Sequence, residues 1–486
     1  MKLVIKLFPE IIVKSRPVRQ RMIGQLRKNL RAVLRDFYEN VVVSGTWDRL
    51  EVETKGLSES QQQQVIDILQ CTPGIHHFFN TQQFEFTSFE NLIEICVQNY
   101  LPQIEGKTFC VRAKRAGRHS FNSHELEQQV GGALFTQSKN AKVDLHHPEI
   151  TVLIEIRDKQ LYAIANRYKG LGGFPLGTQD SCLSLISGGY DSTVASYLML
   201  KRGIRTHFCF FNLGGIAHEV GVKQVSHFIW KKFGSSSRTR FFSVPFQPVV
   251  EELLTQVHHS MRGVILKRLM IRAAQILAKE SSIPALVTGE AIAQVSSQTM
   301  TNLSVIDQIS NMLVVRPLAT TDKEDIIAMA RQIGTEHFAR TMPEYCGVIS
   351  DRPTTAARMD KIEAEEARFN FDVLMDAIKK TEITTIDQVM DSVKSLDQIE
   401  RVSTPSHTDV IIDIRHPEEE EKKPLFLTSN KIVKIPFFEL NRKFPKLEQD
   451  QQYLLYCDHG VMSEMQAQEL HEKGFPQVKV YRAPKQ

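Results

Sequence analysis

The sequence predicts an α/β protein built from several domains, and three observations support this fold class. At 486 residues the chain exceeds the size of a single hydrophobic core, so three or four domains are expected. Between residues 181 and 349, strand-like and helix-like segments alternate, which is typical of a doubly wound parallel sheet. Residues 405–484 show the same alternation on a smaller scale and are expected to form a separate α/β domain.

The N-terminal region, residues 1–75, has the element order of a ferredoxin-like α+β domain. A second α/β domain is expected in residues 63–167, so the two predicted domains overlap at their boundary. Its helix is expected to begin with Ser123 as the N-cap, because Glu125 follows in the first turn. The predicted elements are strands at 3–7, 41–44, 49–54, 108–112, 151–156 and 160–166, and helices at 18–34, 61–69 and 123–134.

A glycine-rich segment, residues 168–177, precedes the predicted doubly wound domain, which spans residues 178–395. Ligands of such sheets bind beyond the carboxyl ends of the strands, so residues that follow the strands are candidates for a site. Residues 354–400 carry many charges and are expected to be a helical connector with a solvated face. The elements predicted between 181 and 349 are strands at 183–186, 207–211, 240–245, 285–288 and 313–315, and helices at 191–200, 219–233, 247–257, 263–279 and 323–333.

Composition restricts the class of function. Hydrophobic residues make up 42% and charged residues 24% of the chain, as in ordinary soluble proteins. No apolar segment approaches the roughly 20 residues of a membrane span. The seven cysteines are scattered and never form a C-x-x-C pair, which argues against a disulfide framework and against a metal site. We therefore expect a cytoplasmic enzyme with no membrane partner and no bound metal of its own.

The N-terminal part is strongly basic, although the whole chain carries a net charge of only +4. The first 35 residues contain ten lysines or arginines and a single acid, Glu10. A second basic stretch, residues 107–118, contains five basic residues and no acid. This asymmetry indicates that the N-terminal part binds a polyanion.

A glycine turn between an apolar strand and a predicted helix reads Ser187-Gly188-Gly189-Tyr190-Asp191-Ser192. Such a turn directs several backbone N–H groups at one point, where the helix dipole also favours an anion. Because no Lys-Ser or Lys-Thr pair follows the glycines, the loop differs from the usual phosphate loop of nucleotide triphosphatases. Its S-G-G-x-D-S order resembles the PP-loop of ATP pyrophosphatases, which implies attack at the α-phosphate of ATP with Asp191 near the phosphates.

A second loop follows the predicted strand 453–456 and reads Cys457-Asp458-His459-Gly460-Val461-Met462-Ser463. A cysteine at a helix N-terminus receives converging N–H groups, which lower the pKa of its thiol and stabilise a thiolate or persulfide. A phosphatase of the C-x5-R type would need arginine at position 463, where this chain has serine. With Asp413-Ile414-Arg415 upstream, the pattern resembles the rhodanese sulfurtransferase domain, and Cys457 is the candidate nucleophile.

Further candidates lie in the predicted doubly wound domain. Cys346 occupies a loop that contains Pro343 and Gly347, just after the last predicted helix. Several polar or basic residues follow strands or share one helix, where positive charge could stabilise a leaving pyrophosphate. These residues are Lys267, Arg268, Arg272, Gly289, Glu290, Gln298, Arg316 and Lys323.

A basic N-terminal α+β region, a PP-loop domain and a terminal Cys-x-x-Gly loop occur together in this chain. The combination resembles the tRNA 4-thiouridine synthase (tRNA sulfurtransferase) family, in its long form with a rhodanese domain. The resemblance runs the length of the chain, with Tyr190 where phenylalanine is common. Its landmarks are Ile5 to Glu10, Gly106 to Arg112, Leu185 to Gly189, Thr288 to Ala291, Glu344 to Val348 and Cys457 to Ser463.

The resemblance implies a reaction and its partners. The N-terminal domain and a THUMP RNA-binding domain would hold tRNA, and uridine 8 would be adenylated by ATP, with Mg²⁺ bound through ATP. A cysteine desulfurase would load a persulfide on Cys457, and Cys346 would form a disulfide with Cys457 that a thiol reductant reopens. Asp191 and Lys323 would assist adenylation. The ATP-binding residues would be Leu185, Ile186, Ser187, Gly188, Gly189, Asp191, Ser192, Lys267, Gly289 and Gln298.

The resemblance also implies sulfur transfer to the carrier protein of thiamine thiazole synthesis. Three alternatives remain at this point. A 2-thiouridylase-like enzyme would use the same activation at another base. A sulfur-relay protein would carry a vestigial ATP site, and an RNA-binding adaptor would have no chemistry at Cys457.

Overall fold

The computed structural model describes residues 1–37, 39–45, 50–213, 216–342, 352–391, 399–415, 420, 424–426, 429–448, 450–457 and 461–482. The chain divides into two compact units, one of residues 1–178 with 201–203 and one of residues 179–200 with 204–486. None of the described helices combines the length and the apolarity that a membrane crossing requires.

The first unit is built on one eight-stranded sheet with the order β2-β3-β1-β4-β8-β7-β5-β6. Strand β4 pairs with β1 on one side and with β8 on the other, so the two predicted N-terminal domains share a continuous sheet. The strands are β1 (Lys2–Leu7), β2 (Val41–Gly45), β3 (Leu50–Thr54), β4 (Ile75–Glu85), β5 (Thr108–Ala116), β6 (Lys142–Val143), β7 (Ile150–Arg157) and β8 (Gln160–Lys169).

Two cores lie against this sheet, one on each half. The first contains Leu3, Ile5 and Leu26, and the second contains Tyr100, Leu126 and Ile154. The helices are α1 (Pro9–Ile12), α2 (Arg16–Val33), α3 (Glu59–Gln70), α4 (Phe89–Ile104) and α5 (Ser123–Gln137).

The N-terminal sequence patterns missed the short elements α1 and β6 and failed at three further places. Strand β4 was not predicted, because a register shift between Asn80 and Thr81 interrupts its alternation. Helix α4 was also missed; it contains Pro102 in its last turn. Helix α5 begins at Ser123 as expected, but its N-cap is Asn122, whose side chain accepts a hydrogen bond from the Glu125 N–H at 2.8 Å.

The second unit contains a six-stranded sheet with the order β13-β12-β9-β10-β11-β14. Strands β9 to β13 are parallel, as predicted, whereas β14 is an additional antiparallel strand at the edge. The strands are β9 (Ser181–Leu185), β10 (Arg205–Asn212), β11 (Arg240–Pro245), β12 (Ala285–Val287), β13 (Leu313–Val315) and β14 (Glu382–Thr385). Because β12 and β10 flank β9 on opposite sides, the chain reverses its winding direction at β9, which is where such sheets bind ligands.

Nine helices of the described chain accompany this sheet. They are α6 (Tyr190–Lys201), α7 (Ile216–Ile229), α8 (Gln247–Gln256), α9 (Arg262–Glu280), α10 (Met300–Asp307), α11 (Lys323–Ile333), α12 (Glu336–Thr341), α13 (Met359–Glu366) and α14 (Phe371–Lys379).

The expected solvated connector at 354–400 is wrong for helices α13 and α14. Ile362, Leu374 and Ile378 are buried in the core of the six-stranded sheet, and β14 joins that sheet directly. Leu374 and Ile378 are four positions apart and therefore share one helix face, while the charges occupy the other faces. The many charged residues of this segment made its amphipathic pattern hard to detect in the sequence.

The C-terminal domain contains five parallel strands in the order β15-β19-β18-β16-β17. Helix α16 begins after the loop that follows β18, and it packs against α7 of the neighbouring domain. Leu213, at the end of β10, packs against the cores of both domains. The elements are β15 (Arg401–Val402), β16 (Val410–Asp413), β17 (Lys431–Lys434), α15 (Phe437–Lys443), β18 (Tyr453–Tyr456), α16 (Val461–Glu472) and β19 (Val478–Tyr481).

Candidate active site

The predicted phosphate loop lies between the end of β9 and the start of α6, as the sequence indicated. Gly188 has φ +83°, a conformation that favours glycine. The Ser192 hydroxyl accepts a hydrogen bond from the Ser187 N–H at 3.1 Å, and the two hydroxyls lie 3.1 Å apart. Ser192, which lies in the first turn of α6, therefore closes the phosphate loop with these hydrogen bonds and fixes its conformation.

Gly289 brings the end of β12 against this loop. A Cβ atom at position 289 would lie 2.5 Å from the Ser192 backbone nitrogen and 2.6 Å from the Asp191 carbonyl carbon. Any side chain would therefore separate the two segments. The structure thus brings together two sequence-predicted pieces that are about 100 positions apart in the chain.

Replacing Gly289 by alanine is expected to push the phosphate loop out of place. The clash involves backbone atoms, so we expect a loss of about 2 kcal/mol in the free energy of unfolding and a fall of ATP-dependent AMP release by more than about 100-fold. Denaturant titration and an AMP assay measure the two effects. Gly132→Ala is the control: its Cβ meets no atom within 4 Å, and it should stabilise helix α5 by about 0.5–1 kcal/mol. A fully active Gly289→Ala protein would contradict the assigned contact.

Asp191 meets Lys323, the other residue predicted to assist adenylation. The Lys323 ammonium lies 2.7 Å from Asp191 Oδ1 and 5.6 Å from the centre of the Tyr190 ring. Lys323 is the first residue of α11, as predicted. The sequence did not indicate a third partner, Gln294, whose side-chain amide donates to Asp191 Oδ2 at 2.7 Å.

Lys267 and Glu290 belong to a buried ionic cluster next to Gly289. The Lys267 ammonium lies 2.6 Å from Glu290 Oε1, and the Arg316 guanidinium donates to Oε2 at 2.8 Å. The Thr288 hydroxyl also donates to Oε2, at 3.0 Å. Burial alone raises the pKa of the Glu290 carboxyl, but Lys267 and Arg316 outweigh it and hold this pKa below its ordinary value. Glu290 is therefore an ionised anchor for Lys267.

Two predicted cations do not belong to this cluster. Arg268 is 2% exposed and donates to both carboxylate oxygens of Glu366, at 2.6 and 3.0 Å, and to the Val305 carbonyl. Arg272 lies near the same glutamate and over the Phe371 ring. Both arginines connect α13 and α14 to α9. For Arg268, which is buried and paired, the expected contribution to ATP binding is corrected to a structural role, whereas that of Arg272 stays a prediction.

The remaining predicted ATP-binding residues border the loop. Leu185 ends β9, and Ile186 is buried, with its N–H donating to the Cys209 carbonyl. Gln298 is also buried, and its Oε1 has no hydrogen-bond partner among the residues that the structure describes. Its carbonyl accepts from the Ala293 N–H at 2.9 Å, which ties it to the segment that carries Gln294.

Cys457 follows β18 directly, as predicted. The Ser463 N–H, in the first turn of α16, donates to Cys457 Sγ at 3.4 Å, and the Ser463 hydroxyl lies 3.5 Å from the same sulfur. Of the residues between them, 458–460 lie outside the described part. A sulfur held by a helix N-terminus is well placed to carry negative charge as a thiolate or persulfide.

The Asp413-Ile414-Arg415 motif supports this cysteine from the neighbouring strand. The Ile414 N–H donates to the Tyr456 carbonyl at 3.0 Å, just before Cys457. Asp413 and Arg415 form an ion pair at 2.6 Å with side chains 2% and 1% exposed, and Arg415 lies over the Tyr456 ring. The motif therefore fixes the end of the strand that presents the sulfur.

Four family profiles match this arrangement: the ThiI ferredoxin-like domain at residues 2–78, the THUMP domain at 86–163, Thiamine biosynthesis protein (ThiI) at 177–371, and the Rhodanese-like domain at 396–483. The chain is 50% identical to the tRNA sulfurtransferases of Colwellia psychrerythraea and Pectobacterium carotovorum, over 99% of its length and 100% of theirs. It belongs to the tRNA sulfurtransferase family.

Membership in this family confirms the predicted enzyme class and the predicted fold class. Among solved structures, a 4-thiouridine synthetase in complex with RNA and bound ATP shares the fold, with a TM-score of 0.68 and 24% identity. The likeness covers 79% of this chain and 99% of that one. PH1313 from Pyrococcus horikoshii shares it with a TM-score of 0.52 and 20% identity, over 69% of this chain and all of that one.

Cys346 lies outside the residues that the structure describes, so its pairing with Cys457 stays a prediction. Met342, four positions earlier in the sequence, is described. Its side chain reaches within 3 Å of the positions where Cβ atoms at Gly188 and Gly221 would lie. Both glycines therefore leave room for Met342, which packs over the phosphate loop. No sequence signal pointed to this methionine.

The sequence interpretation also missed His218, which lies beneath the phosphate loop. Its Nε2 donates to the Ser187 carbonyl at 3.0 Å, and the ring packs against Phe210. Burial lowers the pKa of His218 to about 4, although the Ser187 contact and Glu219 act in the opposite direction. A lone histidine in an amphipathic helix gives no sign of such a role.

We expect this buried histidine to make the domain sensitive to acid. Its folded-state pKa of about 4 lies below the ordinary 6.5, so between these values the unfolded chain binds a proton that the folded chain does not. Stability therefore falls as pH falls below 6.5, by about 2 kcal/mol at pH 5. His218→Gln should reduce this slope in unfolding titrations between pH 7.5 and pH 5 without abolishing it, because burial also lowers the pKa of His207 to about 4. The exposed His147→Gln control should keep it, and equal slopes in all three proteins would contradict the prediction.

Proposed function

We propose that this chain transfers sulfur from a Cys457 persulfide to C4 of uridine 8 in tRNA, in an ATP-dependent reaction through an adenylated uridine. The observation that carries the proposal is the contact of Asp191 with Lys323 at the phosphate loop, in a chain that also presents Cys457 at a helix N-terminus. One site suits activation of an oxygen leaving group, and the other suits carriage of a sulfur atom.

In the activation step, uridine O4 attacks the α-phosphate and pyrophosphate leaves. The loop N–H groups and the start of α6 would bind the phosphates, and Lys267, held by Glu290, would neutralise charge on the leaving group. Asp191, whose carboxylate lies in the first turn of α6, is the group that could bind the Mg²⁺ of the ATP complex. Gln298, another predicted ATP-binding residue, would contact the adenosine, and its Oε1 can accept a hydrogen bond from it.

In the sulfur step, the Cys457 persulfide supplies sulfur to C4 and AMP leaves. If its terminal sulfur attacks C4 directly, Cys346 then attacks Cys457 Sγ, releases 4-thiouridine and leaves a Cys346–Cys457 disulfide. If Cys346 attacks Sγ first, hydrosulfide is released, attacks C4 and gives the same disulfide. Both routes balance when a thiol reductant reduces the disulfide and a cysteine desulfurase reloads the persulfide.

The first unit would bind the tRNA through its phosphates. Helix α2 and the end of β5 carry exposed basic side chains, as polyanion binding requires. They are Arg16, Arg21, Lys28 and Arg31 on α2, and Arg112, Lys114 and Arg115 on β5. The solved 4-thiouridine synthetase with the same fold was crystallised with RNA and ATP, which supports both ligands for this chain.

Reconstitution tests the proposal as a whole. Purified protein, ATP, tRNA, a thiol reductant and a cysteine desulfurase with cysteine should yield AMP and 4-thiouridine at position 8, identified by mass spectrometry of nuclease fragments. A tRNA with cytidine at position 8 is the control and should give neither product. Thiolation at a different uridine would instead favour the 2-thiouridylase-like alternative, and absence of AMP would favour a sulfur relay with a vestigial ATP site.

A second function is sulfur transfer to the carrier protein of thiamine thiazole synthesis. The matching profile named for thiamine biosynthesis favours it. We propose that the C-terminal domain with Cys457 performs this transfer and that the ATP site is not required for it. We place both reactions in the cytoplasm.

A further inference from the structure

The loop between β12 and α10 approaches the phosphate loop through an unusual backbone turn. Ala293 has φ +64°, a left-handed conformation that residues with a Cβ rarely adopt. Its N–H donates to the Gln298 carbonyl at 2.9 Å, and the Gln298 N–H donates to the Val295 carbonyl at 2.8 Å. These two bonds close residues 293–298 into a compact turn. The turn directs the next side chain, Gln294, at Asp191.

Gln294 and Lys323 divide the Asp191 carboxylate between them. Gln294 Nε2 lies 2.7 Å from Oδ2, and Lys323 Nζ lies 2.7 Å from Oδ1. An ionised carboxylate only accepts hydrogen bonds, so the amide must present its NH₂ group to it. Oδ2 therefore accepts from the neutral Gln294 amide, and Oδ1 accepts from the cationic Lys323 ammonium. Two contacts rather than one fix the plane of the carboxylate.

We propose that Gln294 is a positioning residue for the adenylation step, acting through Asp191. The inference rests on the proposed function, in which Asp191 assists attack on the α-phosphate. With Lys323 as its only partner, the carboxylate could pivot about a single contact and follow the flexible lysine side chain. Gln294 prevents this because its own position is set by the Ala293 turn and by the buried Gln298.

The first test removes the donor while keeping side-chain length. Gln294→Met is expected to lower kcat for AMP release by about 10- to 100-fold, because displacements near 1 Å at reacting groups have effects of this size. The KM for ATP should change by less than about 2-fold, since the Gln294 side chain donates to Asp191 alone among the predicted ATP-binding residues, and Asp191 keeps its contact with Lys323. Unchanged kcat with a raised KM would overturn the proposal.

The second test gives a pH signature. Gln294→Glu places a second carboxyl group against Asp191, and two carboxyl groups at hydrogen-bond distance share a proton. The shared proton restores the missing hydrogen bond. Activity relative to the parent protein should therefore recover as pH falls from 8 to 5.5. Gln294→Met, which has no proton to offer, should show no such recovery. Parallel pH profiles for the two variants would indicate a merely structural role and overturn the proposal.

Controls separate failure of this inference from failure of the proposed function. Gln308→Glu changes an exposed glutamine at the end of α10 and should leave kcat and the pH profile unchanged. Asp191→Ala releasing AMP at the parent rate would remove the basis of the proposed function itself. If Asp191→Ala is inactive while Gln294→Met keeps the parent kcat, only the role of Gln294 is rejected. Denaturant titration of each protein, compared with the parent, verifies that the domain carrying Gln294 is folded.

Discussion

Replacing Cys457 by alanine is expected to reduce multiple-turnover 4-thiouridine formation by more than about 1,000-fold, because the atom that carries the transferred sulfur is lost. Pyrophosphate release in a single turnover should persist, since the phosphate loop, Asp191 and Lys323 do not use this sulfur, whereas AMP should stay on the adenylated uridine. Quench-flow measurement of pyrophosphate and mass spectrometry of the tRNA separate the two outcomes. Transfer to the thiazole carrier protein should be lost as well.

Cys71→Ala is the matched control for this experiment. Cys71 is a half-buried cysteine at the end of α3, far in sequence from both proposed reactive loops. It should retain normal thiolation and normal persulfide loading. If Cys457→Ala thiolates tRNA at the parent rate over many turnovers, Cys457 is not the sulfur carrier and the proposed sulfur step is wrong.

Asp191→Ala is expected to lower AMP release by about 1,000-fold and to abolish tRNA thiolation. The substitution removes the only carboxylate in the first turn of α6 and leaves Lys323 and Gln294 without their shared partner. Persulfide loading of Cys457 and transfer to the thiazole carrier should continue at the parent rate, because Cys457 belongs to a different sheet. Gel analysis of the labelled persulfide measures loading directly.

The surface carboxylate Asp376 provides the control for the aspartate experiment. It lies on α14, forms a long ion pair with Lys379 at 3.8 Å and is mostly exposed. Asp376→Ala should change neither reaction. Loss of both tRNA thiolation and thiazole transfer in Asp191→Ala would contradict the proposal that the two functions are separable.

The sequence was most reliable where short buried strands lead into loops. The strands 240–245, 313–315 and 453–456 were predicted with the bounds that the structure shows, and so was the helix 323–333. Segments 313–315 and 453–456 are continuous apolar runs and 323–333 is a strongly amphipathic helix, and arginine, cysteine and glycine, respectively, follow these three. Candidate residues at such positions, Ser187 and Cys457 among them, could therefore be found without a structure.

Prediction failed where a contact depends on a partner distant in the chain. Gln294, His218 and Met342 carry no local signal, because an amide, a lone histidine or a methionine occurs in many surroundings. The same holds for Arg268, which shares a helix with Lys267 but pairs with Glu366, 98 positions later. Which of two neighbouring cations faces the loop is decided by the packing of α13 and α14 on α9.

The sequence by itself determined the chemistry that this protein can carry out: a glycine turn for phosphate, a cysteine at a helix N-terminus and a basic N-terminal region. The glycine turn and the cysteine loop are local, since each depends on residues within about ten positions of one another, and the basic region is a matter of composition. Only the tertiary structure decided which groups surround Asp191 and Glu290, because parallel strands bring together residues that are separated by whole helices. The partners of a catalytic carboxylate are a property of the sheet and not of the motif.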